Sequence, residues 1–335
     1  MILRLILFGP LVVLASGWAL AAIWFDGPAS RVLAGLLAAA LAMAILFVFV
    51  RVRPARRALA GFALLFGAVM LWWLSIDPSN DRSWLPDVAR LPTATIDGDI
   101  VIIANVRNFD YRGEDEYVER WETRTYDLST ITGVDLFLSY WGSDLIAHTI
   151  MSWEFADGRH LAVSIETRKE HGESYSAVRG FFRQFELYYV VADERDLVGL
   201  RTNHRGEHVY LYRLRARPDT ARALLLDYLA RMNSLAAEPR WYNAATQNCT
   251  TTIRYHLEHV AADNPWDWRV LVNGHIDELG YERGTVNTSV PFDELRASSE
   301  ITERAVEAGD DPAFSLLIRE GLPGRPNATD GPGAG

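Results

Sequence analysis

Three uncharged apolar runs, Leu5–Phe25, Val32–Val50 and Ala58–Ile76, fill most of the first quarter of the chain with 21, 19 and 19 residues. Each can cross a hydrocarbon core that needs about 20 residues of helix. Arg4 and the small-residue stretch Ala19-Leu20-Ala21 give the first run some features of a secretory signal. Its apolar part is longer than a usual signal core, and two further runs follow at once, so three retained spans are expected.

Charge in the loops orients them. Arg51, Arg53, Arg56 and Arg57 lie between the second and third runs, whereas Phe25–Arg31 carries one acid and one base. The basic loop belongs on the cytoplasmic side. The third span then exits, the N-terminus lies inside, and everything after Asp77 faces the extracytoplasmic side. That placement and a formal net charge of −10 argue against a nucleic-acid partner. The bilayer is the partner these runs imply, and oligomeric state has no signature here.

An oxidising compartment selects paired cysteines or none. This chain has one, Cys249, within Thr246-Gln247-Asn248-Cys249-Thr250-Thr251-Thr252-Ile253. It is either a buried small apolar residue or a reactive thiol.

The remainder reads as an α+β domain. Asp99–Val106 is β-branched and predicts a strand, and Glu114–Tyr126 has no clean period. His148–Phe155 and His160–Thr167 flank Ala156-Asp157-Gly158-Arg159, a hairpin signal. Strands are expected at Glu186–Val191 and His208–Leu214, and helices at Pro218–Ala236 and from about Asn248. The expected organisation is an anchor over 1–76, a linker over 77–98, a thiol domain over 99–290, an extension over 291–320 and a disordered tail over 321–335.

A cysteine at a helix start gains from the backbone dipoles and from unpaired first-turn N–H groups that can hold an oxyanion. Asn248 or Thr246 can cap that start, and Asn248 also stands where a substrate would lie. The base must come from elsewhere. Of eight histidines, His148 at the head of a hairpin strand leads, with His160 on the return strand behind it. A strand histidine facing a helix-start cysteine is the arrangement of papain-like thiol enzymes. Glu166 is the nearest carboxylate on the return strand, although simple pairing would set Thr167 opposite His148. Ser164 and Arg168 are candidate substrate-binding neighbours. No metal motif and no phosphate loop is present, so neither a metal nor another cofactor is expected.

NVRNFDYR (105–112), RTYDL (124–128), DLFLSYWGSDLIAHTIMSWEF (135–155), SIETRKEHGESYS (164–176), FFRQFELYYVVADERD (181–196), VYLYRL (209–214) and RWYNAATQNCTTTI (240–253) together resemble the Lnb N-terminal periplasmic domain family. The resemblance spans roughly residues 100–275. It implies a circularly permuted, NlpC-type papain-like fold, an antiparallel sheet with packed helices, and acyl transfer through a cysteine thioester. The family's histidine and cysteine fall on His148 and Cys249. In lecithin–retinol acyltransferase relatives a second histidine lies on the following strand, which makes His160 the rival of Glu166 as third member. A lipoprotein or acyl lipid is the substrate so implied. A thiol hydrolase of cell-envelope peptides or amides, and a non-catalytic module with Cys249 as packing, are the alternatives.

Overall fold

The computed structural model describes residues 2–260 and 265–326. The side chain of Arg4 and most of the expected tail lie outside the described residues. The chain divides into two compact units.

The first unit holds α1 (Ile2–Asp26), α2 (Arg31–Arg51) and α3 (Ala55–Leu74). Stretches of 18, 21 and 20 residues in these helices are long and apolar enough to cross a membrane. Ser30 caps α2 by accepting from the Leu33 N–H. Two short pieces of distant sequence, Ser174–Glu186 and Trp241–Ala244, belong to this unit as well. Gln184 and Trp73 both donate to the Asp26 carboxylate at 2.7 Å. The Trp241 indole donates to the Ile76 carbonyl at 3.1 Å.

The second unit is α+β. Its strands are β1 (Thr93–Asp97), β2 (Ile100–Arg107), β3 (Asp110–Tyr111), β4 (Tyr117–Val118), β5 (Trp121–Asp127), β6 (Ile131–Tyr140), β7 (Ala147–Phe155), β8 (His160–Arg168), β9 (Glu186–Ala192) and β10 (His208–Arg213). Eight form one sheet in the order β1-β2-β9-β8-β7-β6-β10, with β5 also paired to β2, while β3 and β4 make a separate ribbon. The sheet is mixed rather than antiparallel throughout, because β2 meets β9 in parallel at Arg107 and Ala192.

Side chains alternate across the sheet and both faces are covered. On one face Phe137, Ile150, Ala162, Tyr188 and Val190 pack against Leu197 of α4 (Glu194–Gly199), Ala305 of α9 (Thr302–Ala308) and Phe314 of α10 (Phe314–Leu317). On the other lie α5 (Pro218–Ala237) and α6 (Cys249–Val260). There Trp153 meets Tyr228 edge-on at 5.1 Å and donates to the Ala221 carbonyl. Two more helices, α7 (Ile276–Glu282) and α8 (Phe292–Ser299), follow before α9, and Leu295 of α8 packs beside Tyr140 and Tyr212.

Several stretches differ from expectation for local reasons. Residues 77–98 are ordered: Trp84 and Val88 enter the core, and β1 pairs with β2. Within 291–320, Ile301, Phe314 and Ile318 are core residues too. Glu114–Tyr126 contains β4 and most of β5, in which Tyr126 is the one buried residue, so no alternating apolar face shows in the sequence. Strand β6 escapes pattern reading because Asp135 sits at its centre, fully buried and paired with Arg319 and Arg325.

The β7–β8 hairpin matters most for the site. The Phe155 N–H bonds the Arg159 carbonyl and the Gly158 N–H bonds the Phe155 carbonyl, so the loop is Ala156-Asp157-Gly158. Gly158 takes φ +82°, the left-handed residue that a three-residue loop demands. The loop is one residue shorter than simple reading gives, so the register moves by one. The ladder runs from Glu154 opposite His160 to Ile150 opposite Ser164. Continued along both strands, it sets Glu166, not Thr167, across from His148. We predict that Gly158→Val costs about 1–2 kcal/mol, the strain of a left-handed L-residue. Thermal unfolding in detergent should show the melting temperature falling by about 2–8 °C.

Candidate functional site

Cys249 is the first residue of α6 and is half-buried. Asn248 caps the helix: its carboxamide oxygen accepts from the Thr251 N–H at 2.8 Å and its carbonyl from the Thr252 N–H at 3.0 Å. Thr251 returns the contact by accepting from the Asn248 N–H. Of the two caps the sequence offered, Asn248 is the one used. The N–H groups of Cys249 and Thr250 stay outside this cap and point out of the helix start.

His148 reaches the thiol from β7. Its Nε2 lies 2.6 Å from Ser164 Oγ and 3.0 Å from Glu166 Oε1, both on β8. Ser164 itself donates to the same Glu166 oxygen at 2.7 Å. With Nε2 so occupied, Nδ1 is the nitrogen left for Cys249, and His148 is the group that most lowers the Cys249 thiol. Thr149, the first β7 residue past the last ladder pair, lies 3.5 Å by its hydroxyl from Thr250 Oγ1 and also lowers the Cys249 thiol. Behind Glu166, Arg201 donates to it at 2.8 Å and to Glu207 at 3.1 Å, and Glu207 accepts from Ser139. Arg201 comes from a π-turn, Leu200–His204.

The electrostatics follow from these contacts. Burial alone would push the Cys249 thiol up, but the hydrogen bond and positive charge of His148 bring it down to about 6. Burial and the Arg201 charge oppose protonation of His148, yet Glu166 and the bond to Cys249 raise it to about 9. Burial likewise opposes ionisation of Glu166, and His148, Arg201 and Ser164 together hold it well below the usual carboxylate range. Between about pH 6 and 9 the pair is a thiolate beside an imidazolium.

The family model of the Lnb N-terminal periplasmic domain matches residues 117–274, which contain every group named above. This region belongs to that family. No curated protein and no solved structure matches the chain.

The Lnb N-terminal domain thus brings Cys249, His148, Glu166, Ser164 and Asn248 together. Ser164, expected to bind substrate, spends its hydroxyl between His148 and Glu166. Two of the expected residues lie elsewhere. Arg168 is buried, with its guanidinium on the Val88 and Ala89 carbonyls and stacked 4.2 Å from the Trp84 ring, so it braces the fold rather than a substrate. His160 stands opposite Glu154, six residues along β8 from Glu166, a separation of about 20 Å at strand rise. There Asp135, Glu154 and His160 offer ligand atoms within 4.8 Å of one another, but Arg319, Arg325 and Arg213 already balance the two carboxylates. His256, on the helix of Cys249, is held by Asp227 and Tyr189, and burial lowers it to about 4, keeping it neutral.

Two residues of the domain had no sequence signal. Arg201 is a guanidinium in a polar stretch like many others. Asn273 takes both backbone groups of Ala147, accepting from its N–H at 2.9 Å and donating to its carbonyl. It also donates to Thr250 and lies 4.0 Å from the Cys249 sulfur, so it ties the head of β7 to the start of α6. Gly274 beside it has no room for a Cβ, which would fall 1.9 Å from the Asp144 carbonyl oxygen. The dipeptide Asn-Gly reads locally as a turn only.

We predict that alkylation of Cys249 by iodoacetamide rises with pH through a midpoint of about 6. Removing the Glu166 charge in Glu166→Gln lowers the His148 pKa from about 9 toward the ordinary imidazole range, destabilises the thiolate and moves the Cys249 midpoint upward. An unchanged midpoint in that variant would refute the assigned coupling.

Proposed function

We propose that the chain is a membrane-anchored periplasmic acyltransferase with a permuted papain-like domain, working through a Cys249 thioester. The chain of Cys249, His148 and Glu166 supports this most directly. His148 holds the proton that leaves the thiol. The thiolate attacks an ester or amide carbonyl, and the N–H groups of Cys249 and Thr250 receive the oxyanion. As the tetrahedral species collapses, the C–O or C–N bond breaks and His148 returns its proton to the leaving group. An amine, such as a lipoprotein N-terminus, then attacks the thioester, gives a proton to His148 and releases the thiolate. With water as acceptor the same steps amount to hydrolysis. Glu166 keeps the imidazole oriented and charged, and Arg201 with Ser164 holds Glu166.

Three apolar helices keep the domain beside a leaflet and raise the effective concentration of any lipid-linked substrate. We assign the N-terminus and Arg51–Arg57 to the cytoplasm. An alkaline phosphatase fused after Leu322 should be active and one inserted at Arg53 inactive; the opposite pattern rejects the assignment.

Cys249→Ser should abolish covalent labelling by an alkyne-tagged phospholipid in membranes, and His148→Ala should slow it by about 10²–10⁴-fold. Labelling that survives both substitutions removes the mechanism. A tagged amide as product marks transfer, and a free tagged acid marks hydrolysis.

A further inference from the structure

Two loops beside Cys249 carry large apolar side chains that the domain leaves uncovered. Trp141, Leu145 and Ile146 precede β7, and Trp266, Trp268 and Leu271 follow α6; each is between 45 and 61 % exposed. The loops are joined to one another and to the site. The Gly274 N–H donates to the Leu145 carbonyl at 3.0 Å, and Gly274 needs its missing Cβ for that approach. Asn273 grips Ala147, the residue after Ile146, and reaches Thr250 beside the nucleophile. The 3-10 turn Trp268–Val270 packs on α6 and on the Asn273–His275 turn. Among the described residues of these loops, Arg269 is buried and bonded to Asp267 and Glu282, and Asp144 is exposed.

We infer that this rim is a bilayer-contact surface, inserting its tryptophans and aliphatic side chains at the headgroup boundary and admitting an acyl chain to Cys249. The admission of an acyl chain rests on the function proposed above; the membrane contact does not. Two observations select a bilayer over another partner. The chain carries its own spans, so a leaflet is always at hand. Tryptophan, with an apolar body and one N–H, favours the boundary between headgroups and tails.

Because Cys249 is the only cysteine, a Cys249→Ser background leaves any introduced thiol as the single labelling site. Leu145→Cys, Trp268→Cys and, as a distant control on α9, Glu303→Cys are labelled with an environment-sensitive fluorophore. The full chain is then reconstituted in phosphatidylethanolamine–phosphatidylglycerol vesicles containing a nitroxide-labelled phospholipid. Labels at 145 and 268 should be blue-shifted and quenched several-fold more than the label at 303. Equal quenching at all three positions, or protection at 145 and 268 traced by cross-linking to a second copy, overturns the inference. In the native-cysteine chain, Leu145→Asp with Trp268→Asp should cut labelling by the vesicle-embedded phospholipid probe at least tenfold while iodoacetamide alkylation stays unchanged. Loss of both reactivities would make the rim structural and overturn acyl admission. If Cys249 never accepts an acyl group, the quenching contrast persists and the membrane contact stands alone.

Discussion

A thiolate can exist in this domain because a carboxylate across the strand holds an imidazole charged. The His148–Glu166 contact at 3.0 Å is therefore the constraint on which the candidate chemistry depends. It is a cross-strand pair, and pairs of this kind are set by register rather than by distance along the chain. Register in turn rests on the three-residue loop at Gly158, about a strand length from the pair. A backbone φ at the far end of the hairpin thus decides which residue faces His148.

The carboxylate needs its own support. Glu166 is surrounded by His148, Ser164 and Arg201, and Arg201 is shared with Glu207, itself bonded to Ser139. A buried charge without partners would shift its pKa and neutralise. The relay of alternating charges lets Glu166 stay ionised, and Asn273 performs the corresponding service for the backbone by clamping Ala147 and Thr250. Side-chain positions on three strands, one helix and two loops are coordinated by these few hydrogen bonds.

Much was legible in advance because it depends on local physics. The apolar runs correspond to α1–α3, Asp-Gly marked the hairpin, and the Asn248 cap with Cys249 after it followed from helix-end chemistry. Where a residue's role is set by distant neighbours, local reading failed. Arg168 looked like a ligand-binding base and is a buried brace; Asp135 obscured β6 because the arginines that neutralise it lie more than a hundred residues away.

The sequence by itself determined the long apolar helices, the α+β class, the helix-start setting of Cys249, and the short set of histidines and carboxylates from which its neighbours had to come. Hydrophobic length, turn chemistry and capping act over a few residues, so they can be read from order alone. Only the tertiary structure decided that Glu166 rather than His160 lies against His148, that Arg201 bonds Glu166 and Asn273 bonds Thr250, and that the rim beside Cys249 is exposed. Those outcomes depend on a one-residue register and on contacts between segments far apart in the chain, which no local pattern encodes.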